Sequence, residues 1–214
     1  MWDVAFEHET DVATEGEFVA RIRRLTVDEL DPEMAALVGA QDRTPLELAV
    51  TSIVGHRPDL AQPLIAYTRS LKNGSLPRRL VELVRLRIAF HNQCRSCMAM
   101  RYQDALADGL TEELVCSLEK PEQAEGLSAA EQLALRYADL FATNHLAIDD
   151  AMYLALGEHF TEGEIVELGL QVALFVGVGR LAATWHIVED LPAAFQEESP
   201  RVLAPWGNES VIVR

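Results

Sequence analysis

The sequence predicts an all-α fold. Apolar residues recur at helical spacing in one segment after another. Residues with cap and stop chemistry bracket those segments, and strand-type alternation is confined to residues 210–213.

The elements follow in order. Residues 1–17 are polar and acidic and are expected to be poorly ordered. A short apolar pattern over 18–30 is broken by Asp31-Pro32, a cap followed by proline at the first helical position, and a helix 33–38 follows. Thr44-Pro45 repeats that signature ahead of Leu46, Leu48, Ala49, Ile53 and Val54, until His56-Arg57-Pro58 interrupts. Residues 60–71 read as a helix stopped by Lys72-Asn73-Gly74. Ser75-Leu76-Pro77 opens the next, whose stripe is Leu80, Leu83, Val84, Arg87 and Ile88 and whose end lies near His91-Asn92. One further helix is expected from the stretch beginning at Asn92 through Met98, Tyr102, Ala105 and Leu106 to Gly109, with Asn92 as its cap. Thr111 caps a short helix to Leu118, Ser128 and Glu131 form a capping box, Asp149 and Asp150 precede a helix over 151–159, and Thr161 and Glu164 form a second capping box. The last of these opens a long apolar helix to about Val188, with Gly177 and Gly179 inside it. Glycines there cost about 1 kcal/mol each relative to alanine, which points to close helix packing. The organisation read from this pattern is a partly helical N-terminal extension 1–43, a helical domain 44–198 and an extended C-terminal arm 199–214.

The chain has 214 residues, 49% of them hydrophobic, enough for a sizeable core without disulfide staples. Its net charge of −16 argues against a nucleic-acid binder, which needs a basic surface to displace counterions from phosphate. No uninterrupted apolar run approaches the roughly 18 residues that suggest a membrane span, and the acidic start lacks a signal-peptide pattern. The expectation is an intracellular, cytoplasmic protein without a membrane or nucleic-acid partner.

Two of the three cysteines, Cys94 and Cys97, are spaced C-x-x-C, which inside a cell points to redox chemistry or metal. Three residues apart on a helix they share a face, so their sulfurs can meet. With Asn92 as cap, Cys94 falls in the first turn, where free backbone N–H groups favour a thiolate. Tetrahedral zinc wants four ligands; Cys116 is the one other cysteine and His91 the one nearby histidine, so no metal is expected. From Arg69 to Arg101 the chain carries eight basic residues and a single acid, Glu82. Glu82 is a general-base candidate, with a salt bridge to Arg78, Arg79, Arg85 or Arg87 as the alternative. Arg101, one helical turn after Cys97, is placed to stabilise a thiolate but not to shuttle protons. His145, His159 and His186 are assigned no role.

The stretch Leu76-Pro77-Arg78-Arg79-Leu80-Val81-Glu82-Leu83-Val84, then Cys94-Arg95-Ser96-Cys97, then Ala105 with Gly109-Leu110-Thr111, resembles the carboxymuconolactone decarboxylase family. It is similar in particular to the alkylhydroperoxidase D-like branch that carries the CxxC. The later stretches Glu131 to Phe141, Phe160 to Leu168 and Phe175-x-x-x-Gly179-Arg180-Leu181 are similar to that family's later helices. The resemblance implies an AhpD-like orthogonal helical bundle that assembles as a homo-oligomer, dimer, trimer or hexamer. It implies a thiol-dependent peroxidase or disulfide oxidoreductase of antioxidant type, without an organic cofactor, acting on a small peroxide and regenerated by an external thiol reductant. It implies that Glu82 belongs to a proton relay with the cysteines, that Cys97 attacks and that Cys94 resolves. The first-turn argument instead favours Cys94 as the more acidic thiol. The branch usually has histidine where this chain has Arg101, and sometimes His or Tyr where it has Ser96. The relay then runs through Glu82 and water, or through His91, or peroxidase activity is weak. The rival readings are a decarboxylase or lactone-processing enzyme and a non-catalytic oligomeric redox sensor.

Overall fold

The computed structural model describes residues 20–196 and 202–214. The expectation for residues 1–17 lies outside them, as does the boundary placed between 198 and 199.

The all-α expectation holds. In chain order the helices are α1 (Pro32–Val38), α2 (Ala49–Val54), α3 (Pro58–Lys72), α4 (Arg78–Asn92), α5 (Arg95–Ala99), α6 (Gln103–Ala107), α7 (Glu112–Ser117), α8 (Ala129–Thr143), α9 (Asp150–Gly157), α10 (Glu162–Trp185) and α11 (Ala193–Gln196). Two three-residue strands, β1 (Met100–Tyr102) and β2 (Val211–Val213), pair in parallel.

Most boundaries follow from the local chemistry. The Asp31 carboxylate accepts from the N–H groups of Glu33 and Met34, and Gly39 ends α1 at φ 65°, a left-handed position that suits glycine. The capping boxes at Ser128 and Thr161 are both formed. Thr44 behaves differently. It exchanges hydrogen bonds with Glu47, but the first α-helical residue is Ala49, so the expected cap serves a turn ahead of α2.

Helix α4 is central. Its Leu80, Leu83, Val84, Leu86 and Ile88 are buried, and it packs against α8 and α10. Each such side chain contributes about 1.5–3 kcal/mol on burial. Close approach of α10 to α4 explains Gly179, where an added Cβ would meet Asn92 Nδ2 at 2.6 Å. Gly177 faces nothing within 4 Å, so packing explains one of the two glycines.

By length and mean hydropathy, 1.7, α10 could cross a membrane. Arg180 interrupts its apolar run, donating to Asn92 Oδ1 at 3.0 Å and to the Ala142 carbonyl at 2.7 Å. Gln171 donates to the Leu71 carbonyl at 3.0 Å. Packing on α4 and α8 accounts for one side of this helix, while Val166, Leu170 and Leu181 remain exposed.

The main departure lies after α4. The continuous helix expected from Asn92 to Gly109 is broken into α5, β1 and α6, and the cap of α5 is Cys94, not Asn92. Gln93 adopts φ 50°, which ends α4 and reverses the chain. The extended residues of β1 then pair with the C-terminal arm, Met100 opposite Val211, Arg101 opposite Ile212 and Tyr102 opposite Val213. The arm overrides the helical pattern by offering the backbone a second set of hydrogen bonds.

Candidate functional site

The site is built around the turn between α4 and α5. The Cys94 N–H donates to the Ala89 carbonyl at 3.1 Å, and the Cys94 carbonyl accepts from Met98 at 2.9 Å. The Gln93 amide pairs with the main chain of Leu203 in both directions, donating at 3.0 Å and accepting at 2.9 Å. The arm is thereby fastened to the residue just before the cysteines.

Cys94 and Cys97 form a disulfide, their Cα atoms 5.2 Å apart, and Cys116 is free and exposed. The two sulfurs are not equivalent. Cys94 is fully buried, in a cluster with Ala49, Ile53, Ala182, Trp185 and Ile187, whereas Cys97 is partly exposed. The neighbouring Ser96 Oγ is 3.6 Å from Cys94 Sγ. With Cys94 at the cap position, Cys97 is the cysteine within the first turn, and α5 is too short to carry much of a dipole. The first-turn argument for Cys94 therefore loses its premise.

Glu82 is held in a bidentate ion pair. Arg85, one turn along α4, donates to its two carboxylate oxygens at 2.6 and 2.7 Å, and both side chains are buried. Of the four arginines weighed as partners, the structure selects Arg85. The same guanidinium donates to the carbonyls of Cys97 at 2.6 Å and Met100 at 2.9 Å and lies over the Tyr102 ring. Glu82 also accepts from the Tyr102 N–H at 3.3 Å. The connection from Glu82 to Cys97 thus runs through Arg85 to the backbone. Burial alone would depress the Arg85 guanidinium, but the Glu82 carboxylate outweighs it and leaves Arg85 above its ordinary value. Burial pushes the Tyr102 hydroxyl up.

Arg101 is a correction. It lies on β1, not on a helical face shared with the cysteines, and is 1% exposed. Its guanidinium donates to both Glu112 carboxylate oxygens and to the carbonyls of Met98, Met100 and Pro205. All five guanidinium N–H donors are thereby used. Arg101 clamps β1, α7 and the arm together.

His91 is occupied elsewhere as well. Its Nε2 is 2.6 Å from Asp139 Oδ1 on α8, and Arg87 donates to the same carboxylate at 2.7 and 3.2 Å. Burial pushes the Asp139 carboxyl up, but the hydrogen bonds from His91 and Arg87 outweigh it and hold Asp139 below the usual carboxylate range. Among the described residues no group of three or more His, Cys, Asp or Glu side chains is placed to hold a metal ion.

Sequence reasoning treated Arg85 as one of several bridge candidates and assigned Tyr102 no role at the site. The signal for Arg85 was its place three residues after a lone acid on a helix. Nothing local signals Tyr102, which reaches the site because residues 100–102 form a strand.

Residues 58–140, spanning α3 to most of α8, match the Carboxymuconolactone decarboxylase family. An uncharacterized protein of Mycobacterium tuberculosis, Rv2313c, is 37% identical over 93 residues, which cover 42% of this chain and 32% of that protein. The matched stretch thus spans about a third of that relative's length. Among solved structures, an uncharacterized peroxidase-related protein from Ralstonia eutropha JMP134 with the alkylhydroperoxidase AhpD core superposes with a TM-score of 0.60 at 19% identity, covering 85% of this chain and 96% of that one. A protein of unknown function from Agrobacterium tumefaciens superposes with a TM-score of 0.57 at 18% identity, covering 65% of this chain and 96% of that one. The fold is thus that of the AhpD-like core.

Proposed function

From the match of residues 58–140 to the carboxymuconolactone decarboxylase family and from the AhpD-like fold, we propose a thiol-dependent peroxidase in which Cys97 attacks and Cys94 resolves. The observation that carries this reading is the asymmetry of the Cys94–Cys97 disulfide, one sulfur fully buried and the other partly exposed. A peroxide needs access to the attacking thiolate. The resolving thiol needs access only to its neighbour.

In the first step the Cys97 thiolate attacks the terminal peroxide oxygen. The O–O bond breaks, the alcohol leaves with a proton taken up from solvent, and Cys97 becomes a sulfenic acid. The Cys94 thiol then attacks that sulfur and expels water, forming the disulfide. An external dithiol returns both cysteines to thiols by exchange through a mixed disulfide. In this reading Arg85 fixes the turn by holding the Cys97 and Met100 carbonyls, and Glu82 holds Arg85.

The test is peroxide consumption with dithiothreitol as reductant, beside a free-thiol count. Wild type is expected to turn over. Cys97→Ser should abolish turnover, and Cys94→Ser, reduced and then freed of dithiothreitol, should consume one peroxide and leave a trappable sulfenic acid. Peroxide turnover surviving in the Cys94→Ser, Cys97→Ser double variant would defeat the peroxidase reading, and decarboxylase activity surviving in it would select the decarboxylase or lactone-processing alternative.

The redox-sensor reading is favoured by a different observation. Glu82 is committed to Arg85, His91 to Asp139 and Arg101 to Glu112, so none of these three is an unengaged acid–base group. A disulfide that forms stoichiometrically with peroxide but is not cycled by dithiols would select it.

A further inference from the structure

A cavity of about 110 Å³ opens between α3, α4 and α10, lined also by Tyr102 of β1 and by Asp104 of α6. Val81, Leu174 and Phe175 give it apolar walls, and Glu82 and Arg85 form its floor. Two lining oxygens have no hydrogen-bond partner among the described residues. The Tyr102 hydroxyl makes no hydrogen bond to a described residue. Gln171 is 3% exposed, and its amide N–H donates to the Leu71 carbonyl while its Oε1 accepts from no described residue. A ligand hydroxyl would give that oxygen a donor.

The charges around the cavity do not cancel. Lys72 and Arg78 both stand 3.7 Å from Asp104, and Glu82 is neutralised by Arg85. Two cations share one carboxylate at the rim, leaving an excess of one positive charge in a chain whose net charge is −16. Lys72 also lies over the Tyr102 ring, 5.5 Å from its centre. A monoanion would balance this rim. The volume is far below the roughly 300 Å³ of drug-sized pockets and, at about 30 Å³ per water-sized group, holds a small ligand of roughly four such groups.

We propose that this cavity binds a short-chain monocarboxylate. The carboxylate lies between Lys72 and Arg78 and accepts from the Tyr102 hydroxyl, and the alkyl end rests on Val81, Leu174 and Phe175. A hydroxyl on the chain donates to Gln171 Oε1. The site is separate from the sulfurs, and the proposal does not depend on peroxidase activity.

Calorimetric titration of the full chain in its disulfide form tests this, with propionate, lactate and the uncharged isostere propionamide as probes. Propionate is expected to bind at least tenfold more tightly than propionamide, and lactate more tightly than propionate. The exposed-rim double variant Lys72→Ala, Arg78→Ala should lose at least tenfold in propionate affinity, and Tyr102→Phe severalfold, with the thermal midpoint of the rim variant within a few degrees of wild type. Equal affinity for propionate and propionamide, or propionate binding unchanged in the rim variant, would overturn the proposal. Because the readout is heat of binding to the oxidised protein, its failure leaves the peroxidase reading standing, and the reverse.

Discussion

At the scale of single residues, Arg101 and Glu82 serve the backbone around the cysteines instead of the sulfurs. Arg101 was expected to tune thiol acidity from a helical face. In the structure its five donors are spent on Glu112 and three main-chain carbonyls. Arg101→Ala should therefore cost about 3 kcal/mol or more, because it leaves buried carbonyls without donors. It should leave the pH profile of Cys97 alkylation by iodoacetamide nearly unmoved in the reduced protein. Urea unfolding and the alkylation profile separate these effects, and a shifted profile at unchanged stability would restore the thiol-tuning role. Glu82 gives the complementary case. Glu82→Gln strands the Arg85 charge in the interior and should cost about 3–5 kcal/mol. Replacing both partners, Glu82→Gln with Arg85→Met, should recover part of that loss in denaturant unfolding, since no buried charge is then left alone. A double variant no more stable than the single would show that Arg85 acts chiefly through the Cys97 and Met100 carbonyls.

At the scale of elements, the arm decides the conformation of the redox segment. β2 pairs with β1, Pro205 accepts from Arg101, the Trp206 ring packs at 4.9 Å from Phe90, and the chain end is held by Glu47. Burial alone would raise the Glu47 carboxyl, but hydrogen bonds from Thr44, Arg214 and Arg43 outweigh it and bring it down to about 2. A carboxylate lowered on folding stabilises the fold fully above its unfolded value. That stabilisation fades as pH falls through the interval between the unfolded value and the folded one. Acidification from about pH 4.5 towards 2 should therefore loosen the Glu47 anchor of the arm. Native-state hydrogen exchange at the β1 and β2 amides should show protection falling over that interval, and Glu47→Gln should show the low-pH pattern already at pH 7. Equal protection in wild type and Glu47→Gln at pH 7 would assign the anchoring to the strand pairing alone.

At the scale of the whole molecule, the described residues leave large apolar side chains exposed. Leu146 is 84% exposed, Leu154 75% and Val166 62%, on the α8–α9 connection, α9 and α10. Large apolar side chains this exposed are candidates for an interaction face. A second copy of the chain is the proposed occupant, because α10 is apolar on nearly all sides and its Val166, Leu170 and Leu181 stay exposed. Sedimentation should give an oligomer at micromolar concentration, and Leu154→Glu with Val166→Glu should shift it towards monomer while leaving the helical circular dichroism unchanged. A wild-type monomer would remove the proposal.

The sequence by itself determined the helices whose signals are local: α1 from Asp31-Pro32, α8 and α10 from their capping boxes, and α4 from its apolar stripe between Pro77 and Asn92. It also determined the pairing of Cys94 with Cys97, because three-residue spacing brings two side chains together over one turn. What only the tertiary structure decided was the segment after the cysteines. Residues 100–102 carry a helical pattern, yet pairing with a strand more than a hundred residues away makes them extended, a contact that no local window contains. That one change moved Arg101 off the sulfur face and brought Tyr102 onto Glu82 and Arg85, while the left-handed Gln93 made Cys94 the cap and Cys97 the first-turn residue. Which sulfur is accessible was likewise decided by what α2 and α10 lay over Cys94. Burial is a property of neighbours distant in sequence, and spacing along the chain does not encode it.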